Sequence, residues 1–115
     1  MTISVRKQDD ISILVLEGNL VLGPPVAAFR DQIQELVEAG AKKIAISLVS
    51  VSIVDSSGIG AMVGAHTGLE SVGGKCKFFG AQPRVHHALE LIHMTEVFDL
   101  HPKEAAAIAS FAQNA

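Results

Sequence analysis

The segment Val54-Asp55-Ser56-Ser57-Gly58-Ile59-Gly60 sets one carboxylate and two hydroxyls directly before a stretch whose apolar residues recur at helical spacing. Such side chains at a helix start suit two tasks. The first is capping, in which a Ser or Asp oxygen accepts a hydrogen bond from an unpaired N–H of the first turn. On this reading the helix begins near Ser57 with Ser57 as its cap, and Asp55 lies just outside, near the positive end of the helix dipole. The second is to carry a phosphate. A phosphoryl group on Ser56 would add a charge of about −1.5 to −2 and three acceptor oxygens. The free N–H groups of a helix start can receive those oxygens. Gly58 and Gly60 lack Cβ and leave the backbone open to approach. The modification would therefore leave the helix folded and change its surface, so that a partner packed over this loop would meet repulsion and a desolvation cost. On the motif alone, capping is the plainer explanation.

Other residues that could do chemistry form weaker patterns. Glycines 58, 60 and 64 are spaced G-x-G-x-x-x-G, not G-x-G-x-x-G, which points to close helix–sheet packing in place of a dinucleotide site. Gly68 to Lys75 has Leu69 where a phosphate-binding loop would need its first glycine. His66, His86, His87, His93 and His101 share no compact ligand spacing, so no metal is expected. Cys76 has no partner and reads as an inert buried thiol. The nucleophile elbow G-x-S-x-G is absent, so Ser56 beside Asp55 does not read as a hydrolase. No catalysis and no cofactor are expected. Met62 and His66 lie on one edge of the helical stripe and are candidates to meet a partner.

These residues need elements to hold them. Residues 2–6 alternate, and 11–17 are apolar on both faces, so a hairpin with a half-exposed outer strand and a central inner strand is expected. Gly18 closes it. Pro24 and Pro25 suit the first turn of a helix over 25–39, carrying Val26, Phe29, Ile33, Leu36 and Val37, with Gly40 as its stop. A third strand follows at 44–48, and residues 49–56 read as a connection. The helix from Ser57 to Val72 shows Ile59, Met62, Val63, Leu69 and Val72 as its apolar face. A fourth strand spans 75–80. Pro83 opens a helix with Val85, Leu89 and Ile92. Val97-Phe98 reads as a short strand or extended link. Pro102 opens a last helix with Ala105, Ile108 and Phe111, and the final residues should fray. A hairpin followed by βα units predicts an α/β fold: a mixed sheet of four to five strands with about four helices, in a single domain over 1–115.

The 115 residues carry 9 basic and 12 acidic side chains, a net charge of −3. With the cations scattered, nothing resembles a nucleic-acid footprint. The N-terminus lacks the order of a signal peptide and no apolar run could span a bilayer, so a cytoplasmic protein without membrane insertion is expected.

Asp55-Ser56-Ser57-Gly58-Ile59-Gly60 resembles the signature of the STAS family, specifically bacterial anti-sigma factor antagonists. The likeness extends over roughly residues 3–111. It includes the strand ending at Gly18, Gly73-Gly74-Lys75 leading into a strand, Pro83-Arg84-Val85 opening a helix, and Leu89 to Phe98. The resemblance implies a partner-switching cycle. The unphosphorylated antagonist binds an anti-sigma factor that is also a serine kinase, and so releases a sigma factor for transcription. The kinase phosphorylates the serine after the motif's Asp, here Ser56, and the complex separates. A serine phosphatase resets it. Ser57 would be the neighbouring cap, and Asn19 and Val21 would flank the docking surface. A monomer or weak dimer is expected. Two positions depart from the family: Gly18-Asn19-Leu20-Val21 has Val21 where an acid is common, and the third strand ends in Ser47-Leu48 where an acid or Asn often precedes Leu. The alternative is a non-phosphorylated STAS scaffold or a transporter-associated subunit of a larger complex.

Overall fold

Strand alternation decides how the sheet is covered. A computed structural model describes residues 1–113. Its elements are β1 (Thr2–Gln8), β2 (Ile11–Leu20), α1 (Pro24–Glu38), β3 (Lys43–Val54), α2 (Ser56–Ser71), β4 (Lys75–Phe79), α3 (Pro83–Leu91), a 3-10 turn (Met94–Glu96), β5 (Asp99–His101) and α4 (Glu104–Gln113). The five strands lie in the order β1-β2-β3-β4-β5. β1 is antiparallel to β2, and the other pairs are parallel. The α/β class, the mixed sheet and the four helices expected from the sequence are all present. The expected fraying concerns a C-terminus whose last residues, 114–115, lie outside the described ones.

In β2, Leu14 and Leu16 point to one side, and Ile11 and Ile13 to the other. The first side packs with Phe29 and Ile33 of α1 and with Met62 and Leu69 of α2. The second side packs with Ala107 and Phe111 of α4. Central strands covered on both faces need apolar residues on both, which is what 11–16 supply. The hairpin turns at Asp9, whose φ of 56° is left-handed, a conformation Asp tolerates better than most residues.

Several boundaries differ from the sequence reading. β3 does not end at Leu48. β2 runs on to Leu20 and carries β3 with it, through register breaks at Val15/Glu17 and Gly18/Leu20, to a last pair Leu20↔Val54. Within this extension Val51 is buried while Ser50, Ser52 and Ile53 are exposed, a pattern too irregular to read as a strand. Val97-Phe98 is not a strand either. The chain makes a 3-10 turn, buries Phe98 against Phe78 at 5.0 Å between ring centroids, and only then forms β5. Ile92 ends up exposed beyond α3, as do Val72 beyond α2 and Ala105 on α4. In α2, Ala61 and Ala65 share the buried stripe with Met62 and Leu69. Small side chains let the helix lie close to the sheet and to α1. Among the described residues no helix is long and apolar enough to cross a membrane.

One polar feature of the core is absent from the sequence reading. Lys77, in the middle of β4, is 2 % exposed. Its ammonium pairs with the Asp99 carboxylate on β5 and lies 5.1 Å from the centroid of the Phe111 ring. His101 Nε2 stands 2.7 Å from the other Asp99 oxygen, a close contact not aligned as a hydrogen bond. Partial burial is the largest single influence on Asp99 and works against its charge, but the hydrogen bond and charge of Lys77, with a smaller contribution from His101, together outweigh it and hold the carboxyl below its ordinary value of 3.8. The pair therefore stabilises the fold at neutral pH and down to the ordinary carboxylate range. That contribution is lost as pH falls through the lowered value. Asp99→Asn, which leaves Lys77 buried and unpaired, should cost about 1–3 kcal/mol in urea unfolding at pH 7, less than for a fully buried pair because Asp99 is partly hydrated. Lys77→Met, which removes the charge altogether, should come out close to neutral. Equal losses for both would show that packing, and not the ion pair, matters here.

Candidate functional site

The N-terminus of α2 is fixed by what comes before it. β2 and β3 end side by side at Leu20 and Val54, and the Asp55 N–H donates to the Leu20 carbonyl at 3.3 Å. Asp55 is then extended, with φ −94° and ψ −176°, and is the cap of α2. Its Oδ1 accepts from the Gly58 N–H at 2.8 Å. Its Oδ2 accepts from the Leu22 N–H at 2.9 Å. One carboxylate thus closes the first turn of α2 and ties down the loop between β2 and α1.

This corrects the sequence reading, which made Ser57 the cap and left Asp55 outside. The capping role belongs to Asp55, because β3 runs on to Val54, well past its expected end at Leu48, and the chain then enters the helix at once. Ser56 is the first helical residue and is exposed, and Ser57 is the second and half-buried. The Leu22 and Gly58 N–H groups hold the Asp55 carboxyl below the ordinary carboxylate range, against the opposing effect of desolvation. The charged cap is present at neutral pH and weakens only as pH drops through that lowered value.

The three glycines have different reasons. A Cβ on Gly58 would overlap the Leu20 carbonyl oxygen and stand 2.9 Å from Val54 Cγ1. Here the expected close packing is present. At Gly64 a Cβ would meet nothing within 4 Å, and at Gly60 only the end of the Arg30 side chain, at 4.0 Å. Helix–sheet packing does not require glycine at either of those two positions.

The structure gathers Asp55, Ser56, Ser57 and Gly58 with residues 20–22. Asn19 is exposed at the end of β2, and Val21 follows half-buried. Met62 does not belong to a partner surface: it is fully buried in the main core. His66 is ten residues beyond Ser56, about 15 Å along the helix axis. Its Nε2 contacts Glu70 at 2.6 Å, and its ring meets Phe98 edge-on at 6.2 Å between centroids. It packs the 3-10 turn against α2, away from the helix start. The sequence reading missed the apolar residues exposed beside the site: Leu22 at 74 % and Ile53 at 41 %. Leu22, beside Gly23-Pro24, carried a weak signal as an apolar residue in a turn. Ile53 carried none, since its exposure depends on the strand extension.

Two substitutions check this geometry. Gly58→Ala should cost about 1–3 kcal/mol, as overpacking against a backbone carbonyl does, while Gly64→Ala should be neutral or slightly stabilising in the same urea titration. Asp55→Ala should lower the unfolding midpoint and raise amide exchange at both Gly58 and Leu22. Protection retained at Leu22 would break the link between the loop and the helix cap.

The family model described as the STAS domain matches residues 2–107. No match was found among curated proteins. Among solved structures, a Thermotoga maritima protein assigned as an anti-sigma factor antagonist superposes with a TM-score of 0.88 at 21 % identity, over 94 % of this chain and 92 % of that one. The Bacillus cell fate determinant SpoIIAA in its phosphorylated form gives a TM-score of 0.74 at 21 % identity, over 96 % and 99 %. A sulfate transporter family protein from Wolinella succinogenes gives 0.71 at 15 % identity, over 88 % and 84 %. At these identities the likeness is one of fold, and it extends to antagonists and transporter proteins alike. With nearly its whole length matched by the family model, the chain belongs to the STAS domain family.

Proposed function

We propose that this protein is an anti-sigma factor antagonist that acts by binding and is not itself an enzyme. Unphosphorylated, it binds an anti-sigma factor with serine kinase activity and so frees a sigma factor for transcription. Phosphorylation of Ser56 ends the binding, and a serine phosphatase restores it. The cycle runs in the cytoplasm of a bacterium. The observation that carries this reading is the position of Ser56. It is exposed at the first turn of α2, while its neighbour Asp55 occupies the cap and keeps the turn formed. A kinase can reach the hydroxyl without unfolding anything, and the product charge sits at the favourable end of a helix dipole. Leu22 and Ile53, exposed beside it, offer apolar contact to a partner whose approach the phosphate would oppose.

The second reading is a STAS module that is never phosphorylated and serves in a scaffold or beside a transporter. The similarity to the Wolinella succinogenes protein favours it, as does Val21 where antagonists commonly carry an acid. Intact mass and phosphosite mapping on protein from its native cells separate the two. A phosphate on Ser56 is expected. An unmodified chain across growth conditions would leave the second reading. With a captured partner, Ser56→Ala should bind as the parent does and Ser56→Asp at least tenfold more weakly. Equal binding would mean that charge at residue 56 is not the switch.

A further inference from the structure

Arg30, the one basic residue of α1, reaches the first turns of α2. It lies on α1, and its Nη2 is 4.0 Å from the place a Cβ on Gly60 would take. Gly60 is one turn beyond Ser56, and positions four apart on a helix face the same way with their Cβ sites about 5–6 Å from each other. α1 and α2 both lead back from the ends of parallel strands on one face of the sheet, so the two helices start together. Arg side chains lean toward the start of their helix, which carries the Arg30 guanidinium toward Ser56.

The guanidinium is also uncommitted. Among the described residues Arg30 forms no ion pair and no hydrogen bond. The positions one turn away on α1 are Val26, Ala27, Ile33 and Gln34, none of them acidic. Across the groove stand Ala61, Gly64 and Ala65. Gly60 keeps the path open: a larger residue there would stand between the guanidinium and residue 56.

We infer that Arg30 is the internal counter-ion of a phosphate on Ser56, an inference that rests on the phosphoserine reading above and deepens it. A small rotation of the arginine brings its planar fork onto two phosphate oxygens. The remaining oxygen faces the N–H groups of the first turn of α2. The phosphate then changes two surface groups at once, removing the hydroxyl and withdrawing a free cation from the face that meets the partner. It also bridges the starts of α1 and α2.

The test uses full-length protein with phosphoserine placed at position 56 during translation, so it needs no kinase. The second ionisation of the phosphate is followed by phosphorus NMR in the parent, in Arg30→Gln and in Lys7→Gln. Lys7 lies at the far end of the sheet and controls for net charge. The phosphate of Arg30→Gln should titrate about half a pH unit higher than that of the parent, roughly a threefold change in proton affinity, with Lys7→Gln unchanged. Identical curves for the parent and Arg30→Gln would overturn the inference, and so would an equal shift in Lys7→Gln. Arg30 is exposed, so its replacement leaves the core intact. Failure of this titration would leave the Ser56 switch standing, whereas absence of phosphate on Ser56 in cells would defeat the switch and leave the titration result unaffected.

Discussion

Two backbone N–H groups from different parts of the chain converge on the carboxylate of Asp55. One belongs to Gly58, in the first turn of α2, and the other to Leu22, in the loop that leads to α1. Helix starts have unpaired donors, and loops that cross the end of a sheet have them too. A single ionised acceptor satisfies one of each, and it is in range only because β2 and β3 end level with one another. The constraint passes outward from there. Leu20 and Val54 must pair, Gly58 must lack a side chain to let the helix approach Leu20, and Ser56 is left on the outside of the turn. The exposure of Ser56 is thus a consequence of how its neighbours are satisfied.

The two faces of the sheet divide the work. One carries α1, α2 and α3 over a continuous apolar core and presents its helix starts at the end where Ser56 lies. The other is closed by α4, packed on Ile13, Ala45 and Phe79. The Lys77–Asp99 pair, buried on the lysine side only, lies at its edge. A charge in such a place is weak evidence of stability. It does define which strand may lie beside β4, because only an acid at position 99 answers an ammonium that cannot reach water. β5 has just three residues and little apolar surface of its own, so this pairing helps set its register.

The surface around Ser56 combines an exposed hydroxyl, exposed Leu22 and Ile53, and, on α1, the Arg30 guanidinium, which is unpaired among the described residues. On the proposed reading, a phosphate on such a surface would act through local charge and hydration and would require no change of fold. The rigid cap below it suits that mode, since a site already held by Asp55 gains nothing from rearranging. Val21 falls in this same region, half-buried next to Leu22, where a change of side chain would alter the surface without touching the Asp55 cap.

Local chemistry was enough for much of this. Alternation in 2–6 and two-faced apolarity in 11–17 determined a hairpin with one outer and one inner strand. Pro24-Pro25, Gly40, Gly73-Gly74 and Pro83 marked helix ends, since proline and glycine act on the backbone within a few residues. The run Asp55 to Gly60 marked the candidate site. What the sequence could not determine were features that depend on a distant neighbour. β3 continues to Val54 only because β2 continues beside it. Asp55, not Ser57, caps α2 because the strand pairing delivers Asp55 to that point with a second donor waiting at Leu22. Met62 turned inward because α2 lies flat on the sheet, and Lys77 could be buried because β5 brings Asp99 to it. Hydrogen-bond partners and burial are properties of the packed chain, and pattern along a segment carries no record of what lies across from it.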